Sequence, residues 1–250
     1  MIEYSYQLYS SRKFPPLGDT LKMLSDLGYT HVEGYQALFD TPASVSALAD
    51  ALAANGLTMP TAHFDLKALQ NSPDRVLAIA ATLGIKAIFV PYLAPPDRPN
   101  DPTGWTAFGK SLAQAGEPVR AAGLRFGWHN HDYEFAEIEG QFPLDLILAA
   151  DKDLALELDL AWVVRGGQDP SVWMQKYADR LAAIHIKDIA PEGTAPDEDG
   201  WADLGHGTMD WAMLLRQARG TAAHYFVIEH DNPSDHRRFA ERSLRAARSF

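Results

Sequence analysis

Residues 154–187 read LALELDLAWVVRGGQDPSVWMQKYADRLAAIHIK, and this stretch contains the pattern that decides the fold. An apolar run is followed by the polar turn GGQDP, by an amphipathic segment that opens on Pro170, and by a second apolar run. Proline is common in the first turn of a helix, and short apolar runs between turns are typical of buried strands. We therefore predict a strand, a helix and a second strand, which must run parallel because a helix joins them.

The same unit recurs along the whole chain of 250 residues. Candidate strands begin near Ile2, Thr30, Leu57, Ile85, Leu124, Leu154, Ala182 and Tyr225. Amphipathic segments separate them, and glycines that can end a helix stand before several of the strands. Eight βα units predict an α/β fold, namely a single (β/α)8 TIM barrel over residues 1–250. A doubly wound open sheet is the competing fold, but it needs fewer units.

The composition limits the chemistry that this chain can perform. There is no cysteine, which excludes disulfides, thiol nucleophiles and cysteine-ligated metals. Any metal must therefore be bound by His, Asp and Glu. The formal net charge of −11 argues against nucleic acid and anionic membranes as partners, because both require clustered Lys and Arg.

We also expect a cytoplasmic protein without a membrane segment. The opening residues, MIEYSYQLYSSRKFPP, lack the apolar core of a signal peptide. No run in the sequence approaches the roughly 20 apolar residues of a membrane span.

Polar residues occur in pairs at the ends of the last four predicted strands. The pairs are His129 and His131, Glu157 and Asp159, His185 and Lys187, and Glu229 and Asp231. Residues i and i+2 share a face of a strand, and barrel enzymes have their sites at the carboxyl ends of the strands. Polar groups inside apolar strands are costly unless they are paired or bind metal. The repetition predicts a site for a divalent metal (Mn²⁺, Co²⁺, Zn²⁺ or Mg²⁺), although we expect Glu157 to act as a buried hydrogen-bonding partner rather than a ligand.

Other residues are weaker candidates for binding a substrate. Glu33 ends the second predicted strand and His63 the third, and for both, as for Glu134, a structural role and substrate contact are equally open. Trp162 follows the sixth strand and is placed to form a wall of a pocket. Gly205–Gly207 would suit a phosphate-binding nest, but the acidic residues nearby favour a plain turn.

Taken in order, the motifs resemble those of the xylose isomerase-like superfamily of sugar isomerases and epimerases. They are Gly127-Trp128-His129-Asn130-His131-Asp132-Tyr133-Glu134-Phe135, Glu157-Leu158-Asp159 with Trp162, Gly167-x-Asp169-Pro170, His185-x-Lys187-Asp188, Leu204-Gly205-His206-Gly207 and Ile228-Glu229-x-Asp231. The resemblance covers nearly the whole chain and implies a single barrel domain with one divalent metal. By position it implies the metal ligands His129, Asp159, His185 and Glu229.

The resemblance also implies roles for the remaining residues. His131 lies two residues beyond the first ligand, where a relative has a catalytic histidine, so His131 and Glu229 are the candidate bases. Lys187 is expected to polarise a substrate oxygen, while Glu33, His63 and Trp162 are expected to contact hydroxyl groups. Barrels of this superfamily often associate, so a homo-oligomer remains open.

The resemblance leaves the reaction open. His129 stands where many relatives have Glu, which favours the inosose dehydratase branch over the epimerases with two catalytic carboxylates. We rank a metal-dependent isomerase or epimerase of a small sugar first, because proton abstraction through an enediolate is common to the superfamily. A dehydratase or lyase acting on a ketocyclitol or keto-glycoside is the alternative. A non-catalytic barrel that binds a sugar or a partner subunit is the hypothesis of another class.

Overall fold

The computed structural model describes residues 3–250, and in it eight parallel strands close into a barrel. The strands are β1 (Tyr4–Gln7), β2 (His31–Gly34), β3 (Thr58–His63), β4 (Ala87–Val90), β5 (Arg125–His129), β6 (Ala155–Asp159), β7 (Leu181–Ile186) and β8 (Tyr225–Ile228). Each strand pairs with its neighbours in sequence, and β8 pairs with β1. The predicted (β/α)8 barrel is thereby confirmed, and the open sheet is excluded. The predicted start of the first strand at Ile2 lies outside the described residues.

Eleven α-helices occur in the described chain and surround the barrel. They are α1 (Leu17–Leu27), α2 (Pro42–Ala54), α3 (Leu66–Asn71), α4 (Pro73–Leu83), α5 (Pro102–Ala115), α6 (Glu117–Ala121), α7 (Pro143–Ala149), α8 (Leu160–Arg165), α9 (Pro170–Lys176), α10 (Trp211–Ala218) and α11 (His236–Ser249). Helices α5 and α6 are separate, because Pro118 cannot continue a helix from α5. Among residues 3–250 no helix has the length and apolar character needed to cross a bilayer.

The apolar core has two parts. The larger part lies between the sheet and the helices, while a small cluster of Ala87, Phe89, Ala155, Ala182 and Ala183 forms a separate core. At Gly127 a Cβ atom would lie 1.9 Å from the backbone oxygen of Ala155, so β5 and β6 approach too closely there for any larger residue.

The register of the strands places polar residues side by side at the carboxyl end of the barrel. His129 pairs with Glu157 across β5 and β6, and Asp159 pairs with His185 across β6 and β7. The strands end earlier than the sequence predicts, so that His131 and Glu229 lie just beyond them. The polar side chains nevertheless meet at one end of the barrel.

The loop between β7 and α10 is organised by Asp188. A short antiparallel ladder pairs Asp188–Ile189 with Trp201–Ala202. The Asp188 carboxylate accepts hydrogen bonds from the backbone N–H groups of Ile189, Gly205, Gly207 and Met209. The glycine segment that we expected to form a plain turn therefore does form an anion-binding nest, and the anion is a side chain of the protein itself.

Candidate active site

A cavity of about 770 Å³ opens above the carboxyl ends of the barrel strands. Its lining includes five of the predicted site residues, His63, His129, His131, Trp162 and Glu229. The cavity has aromatic walls and a few convergent polar groups, which are typical of sites that bind small molecules.

The four ligands implied by the resemblance come together at the floor of this cavity. His129, Asp159, His185 and Glu229 are buried, and each offers one donor atom within 4.8 Å of the others. The Oδ1 atom of Asp159 accepts from the backbone N–H groups of Ala161 and Trp162 at the start of α8. Its Oδ2 atom makes no hydrogen bond with any described residue.

Below this group lies a second set of possible donors, which shares two histidines with the first. It comprises His63, His129, Glu157 and His185. The Oε2 atom of Glu157 is 2.5 Å from His63 Nε2, 3.1 Å from His129 Nδ1 and 3.3 Å from His185 Nε2. Burial alone would raise the pKa of Glu157, but His185 and His63 hold it well below its usual range. Glu157 thus accepts hydrogen bonds deep in the barrel, as the sequence suggested.

Lys187 connects three carboxylates at the edge of the same site. Its Nζ atom lies 2.8 Å from Glu229 Oε2, 3.2 Å from Asp159 Oδ2 and 3.0 Å from Asp231 Oδ2. Burial would lower the pKa of Lys187, yet the three carboxylates, with Asp159 first, raise it instead. Lys187 is therefore a buried ammonium group that holds these side chains together.

His131 forms part of the cavity wall, where its ring packs against those of Trp162 and Tyr92 at centroid distances of 5.1 and 5.3 Å. Its Nδ1 atom has no hydrogen-bond partner within residues 3–250. Burial, with a smaller contribution from His129 and Lys187, lowers the pKa of His131 well below its usual value. The imidazole is consequently neutral at pH 7 and able to accept a proton.

The structure places two of the predicted substrate-binding residues, Glu33 and Glu134, outside the described lining of the cavity. Glu33 is fully buried and accepts from Gln7 Nε2 at 2.7 Å and from His185 Nε2 at 2.8 Å.

Glu134 is also fully buried, and burial raises its pKa to about 8. It accepts from the indole N–H of Trp128 at 2.8 Å and from the backbone N–H of His131 at 2.9 Å. Glu33 and Glu134 therefore hold His185 and the His131 backbone in position without lining the cavity.

The sequence reasoning missed several aromatic and basic residues that line the cavity, among them Tyr9, Tyr35, Tyr92, Arg165 and Trp201. Three of them, the tyrosines, follow β1, β2 and β4 by one or two residues. A search for aromatic residues at the end of every predicted strand would have found these three. Arg165 lies over the Trp201 ring at 3.2 Å from its centroid, in cation–π contact.

Three known proteins illustrate what this chain is similar to. An inosose dehydratase of Lacticaseibacillus casei is 24% identical over 85 residues, which cover 34% of this chain and only 28% of that relative. A sugar phosphate isomerase/epimerase from Parabacteroides distasonis has a similar structure, with a TM-score of 0.81 and 22% identity over 98% of this chain and 93% of that one. The IOLI protein with a bound zinc atom matches with a TM-score of 0.69 and 15% identity over 99% and 96% of the two chains. At these identities the structural likeness concerns the fold alone.

The family assignment rests on nearly the full length of the chain. A family model described as "Xylose isomerase-like TIM barrel" matches residues 21–250. The matched region includes seven of the eight barrel strands and all the candidate site residues. This chain therefore belongs to the xylose isomerase-like TIM barrel family.

Proposed function

We propose that this protein is a divalent-metal-dependent isomerase or epimerase of a small sugar or keto-sugar. The observation that carries the proposal is the convergence of His129, Asp159, His185 and Glu229 beneath a cavity with a neutral histidine, His131, on its wall. The similar structure of a sugar phosphate isomerase/epimerase supports this class of reaction.

The four residues fit a divalent ion. Two imidazoles and two carboxylates are a donor set that suits Zn²⁺, Mn²⁺ and Co²⁺, and the buried Oδ2 atom of Asp159 makes no hydrogen bond to a described residue. An ion bound there would polarise a carbonyl group and an adjacent hydroxyl of the substrate. The zinc atom bound to the structurally similar IOLI protein agrees with this proposal.

The residues of the chain would move the proton. His131 is the base that we assign to removal of the proton beside the carbonyl, because it is neutral and lines the cavity. Glu229 remains the second candidate base, although its contacts with His185 and Lys187 favour a ligand role. Lys187 orients Asp159 and Glu229, and Trp162 and His63 contact the substrate from the cavity wall.

A dehydratase or lyase is the second candidate function. It is favoured by the presence of His129 in place of the more usual Glu and by the short match to an inosose dehydratase. Such an enzyme would begin with the same proton abstraction and then expel a β-hydroxyl or glycosidic oxygen from a ketocyclitol or keto-glycoside. A barrel that binds a sugar or a partner subunit without catalysis would show neither step.

Exchange with solvent deuterium distinguishes these functions. We expect metal-loaded protein in D₂O to place deuterium on the carbon beside the carbonyl of at least one member of a panel of keto-sugars and ketocyclitols. An enone product would select the dehydratase. His131→Gln should abolish exchange while the bound metal remains, whereas His224→Gln, at an exposed histidine, should change neither. If metal-loaded protein exchanges no proton across the panel, both enzymatic proposals are wrong.

A further inference from the structure

We infer that Glu157 is the positioning residue for His129 and, together with Glu33, for His185, and that the lower set of donors orients these imidazoles rather than forming a second metal site. This inference rests on the metal site of the proposed function. It concerns His129 and His185, which belong to both sets.

The two nitrogens of each shared imidazole have different partners. His185 Nδ1 lies 2.9 Å from Glu229 Oε2, whereas His185 Nε2 faces Glu33 Oε1 at 2.8 Å and Glu157 Oε2 at 3.3 Å. His129 Nδ1 is 3.1 Å from Glu157 Oε2, so its Nε2 atom is the nitrogen left for the upper set. A carboxylate that accepts the second N–H of a metal-bound histidine fixes the tautomer and orientation of the ring.

Proton counting favours one ion over two. A neutral imidazole has one nitrogen able to accept and one that donates. His129 and His185 could therefore ligate ions in both sets only if each lost a further proton. A single ion in the upper set leaves both donating nitrogens directed at carboxylates, that of His129 at Glu157 and that of His185 at Glu33 and Glu157.

The balance of charge places the ion in the upper set, because that set has two carboxylates, Asp159 and Glu229, against one in the lower set. His129 and Glu229 line the cavity, so an ion beside them is within reach of a substrate. In the lower set the nitrogens of the three imidazoles all face Glu157 Oε2, and His63 Nε2 is the nearest at 2.5 Å. Glu157 Oε1 makes no hydrogen bond within the part of the chain that the structure describes, so the orienting contacts all meet at one oxygen.

Metal titration of two variants on the same strand tests the inference. Glu157→Gln keeps the side-chain volume but removes the charge, and we expect it to bind one Co²⁺ per chain about 10–100-fold more weakly than the wild type. The visible absorption bands of the bound Co²⁺ should shift, because the imidazoles lose their fixed orientation. Asp159→Asn removes a ligand and should lose stoichiometric binding. Glu157→Asp, which withdraws the carboxylate by one methylene, should weaken binding in the same direction if the glutamine variant does not fold.

Glu134→Gln is the control for the same replacement at another buried glutamate, because Glu134 contacts no imidazole nitrogen among the described residues. It should leave the affinity and spectrum of Co²⁺ unchanged, and thermal unfolding of the metal-free variants checks that each is folded. Two ions per wild-type chain, metal retained in Asp159→Asn but lost in Glu157→Gln, or an unchanged affinity in Glu157→Gln would each overturn the inference alone. Wild-type protein that binds no divalent ion would remove the proposed function as well.

Discussion

Two groups of charged residues in this molecule differ in how completely they are paired. The central cluster at the floor of the cavity consists of Glu33, Glu157, Asp159, Glu229 and Asp231 around His63, His185 and Lys187. The outer cluster joins the β7–α10 loop to α11 and consists of Glu198, Asp203, Arg238 and Arg242. In the outer cluster Arg238 donates to both carboxylates, at 2.7 Å to Glu198 and 3.0 Å to Asp203.

The central cluster, in contrast, has five carboxylates around three basic side chains. One oxygen each of Glu33, Glu157 and Asp159 makes no hydrogen bond within residues 3–250, although all three are buried. A buried carboxylate oxygen that accepts no hydrogen bond is costly even where, as at Asp159 Oδ2, an ammonium group lies 3.2 Å away, so such an arrangement is typical of functional sites rather than of structural ones. We therefore propose ligand binding as the role of the central cluster and stability as that of the outer one.

The largest expected effect separates the two clusters by metal affinity. Asp159→Asn should weaken divalent-metal binding by more than about 100-fold, because loss of a ligand exceeds the cost of losing a group that supports one. Asp203→Asn, the matched change in the outer cluster, should bind the metal with unchanged affinity. Isothermal titration with Zn²⁺ or Mn²⁺ measures both. Equal losses in the two variants would break the comparison.

The next effect concerns the free energy of unfolding. Arg238 is 28% exposed and its guanidinium bridges two acidic residues, so Arg238→Ala should destabilise the chain by about 1–3 kcal/mol. The control is Arg245→Ala. Arg245 is 75% exposed, so its ion pair with Glu241 should contribute less than about 0.5 kcal/mol to the free energy of unfolding. Urea unfolding of both variants checks this order, and a larger loss in Arg245→Ala would contradict it.

The smallest effect is a dependence on pH. Burial would raise the pKa of Glu198, but hydrogen bonds from Ser234 and Arg238 lower it to about 2. A depressed pKa adds stability above the unfolded value of about 4.3, and this stability is lost as pH falls toward 2. The free energy of unfolding of the wild type should therefore exceed that of Glu198→Gln by about 1 kcal/mol at pH 6, allowing for the partial exposure of Glu198, and by less at pH 3. A difference in unfolding free energy that stays constant between these pH values would show that the charge of Glu198 contributes nothing to stability.

The sequence alone predicted the barrel and the meeting of four polar pairs, and the reason is topological. When every crossover is a helix, all strands run parallel and their last residues share one end. That rule places the pairs that contain His129, Asp159, His185 and Glu229 at one end of the barrel without any knowledge of side-chain conformation, and the family resemblance selects the four ligands from them. The two shortened strands did not disturb the outcome, because Glu229 is only one residue beyond β8.

What the sequence could not supply were contacts between distant segments. The 2.5 Å contact of Glu157 with His63 joins residues 94 apart in the chain and depends on how the barrel closes. Glu134 was a candidate for substrate contact because it lies in the motif after β5, but only the structure shows that Trp128 and the His131 backbone occupy its carboxylate. The two residues that Glu134 contacts are close to it in the sequence, but the contacts depend on the direction of its side chain.

The arrangement at the end of β7 has a consequence for how this chain can diverge. Within four positions, His185 faces the ligand set, Lys187 pairs with its carboxylates, and Asp188 anchors the loop that carries Trp201 to the cavity. An insertion or deletion in this segment would alter the ligand geometry and the shape of the cavity mouth together. Substitution of Trp201 farther along the loop would instead alter the wall of the cavity without changing the spacing of His185, Lys187 and Asp188.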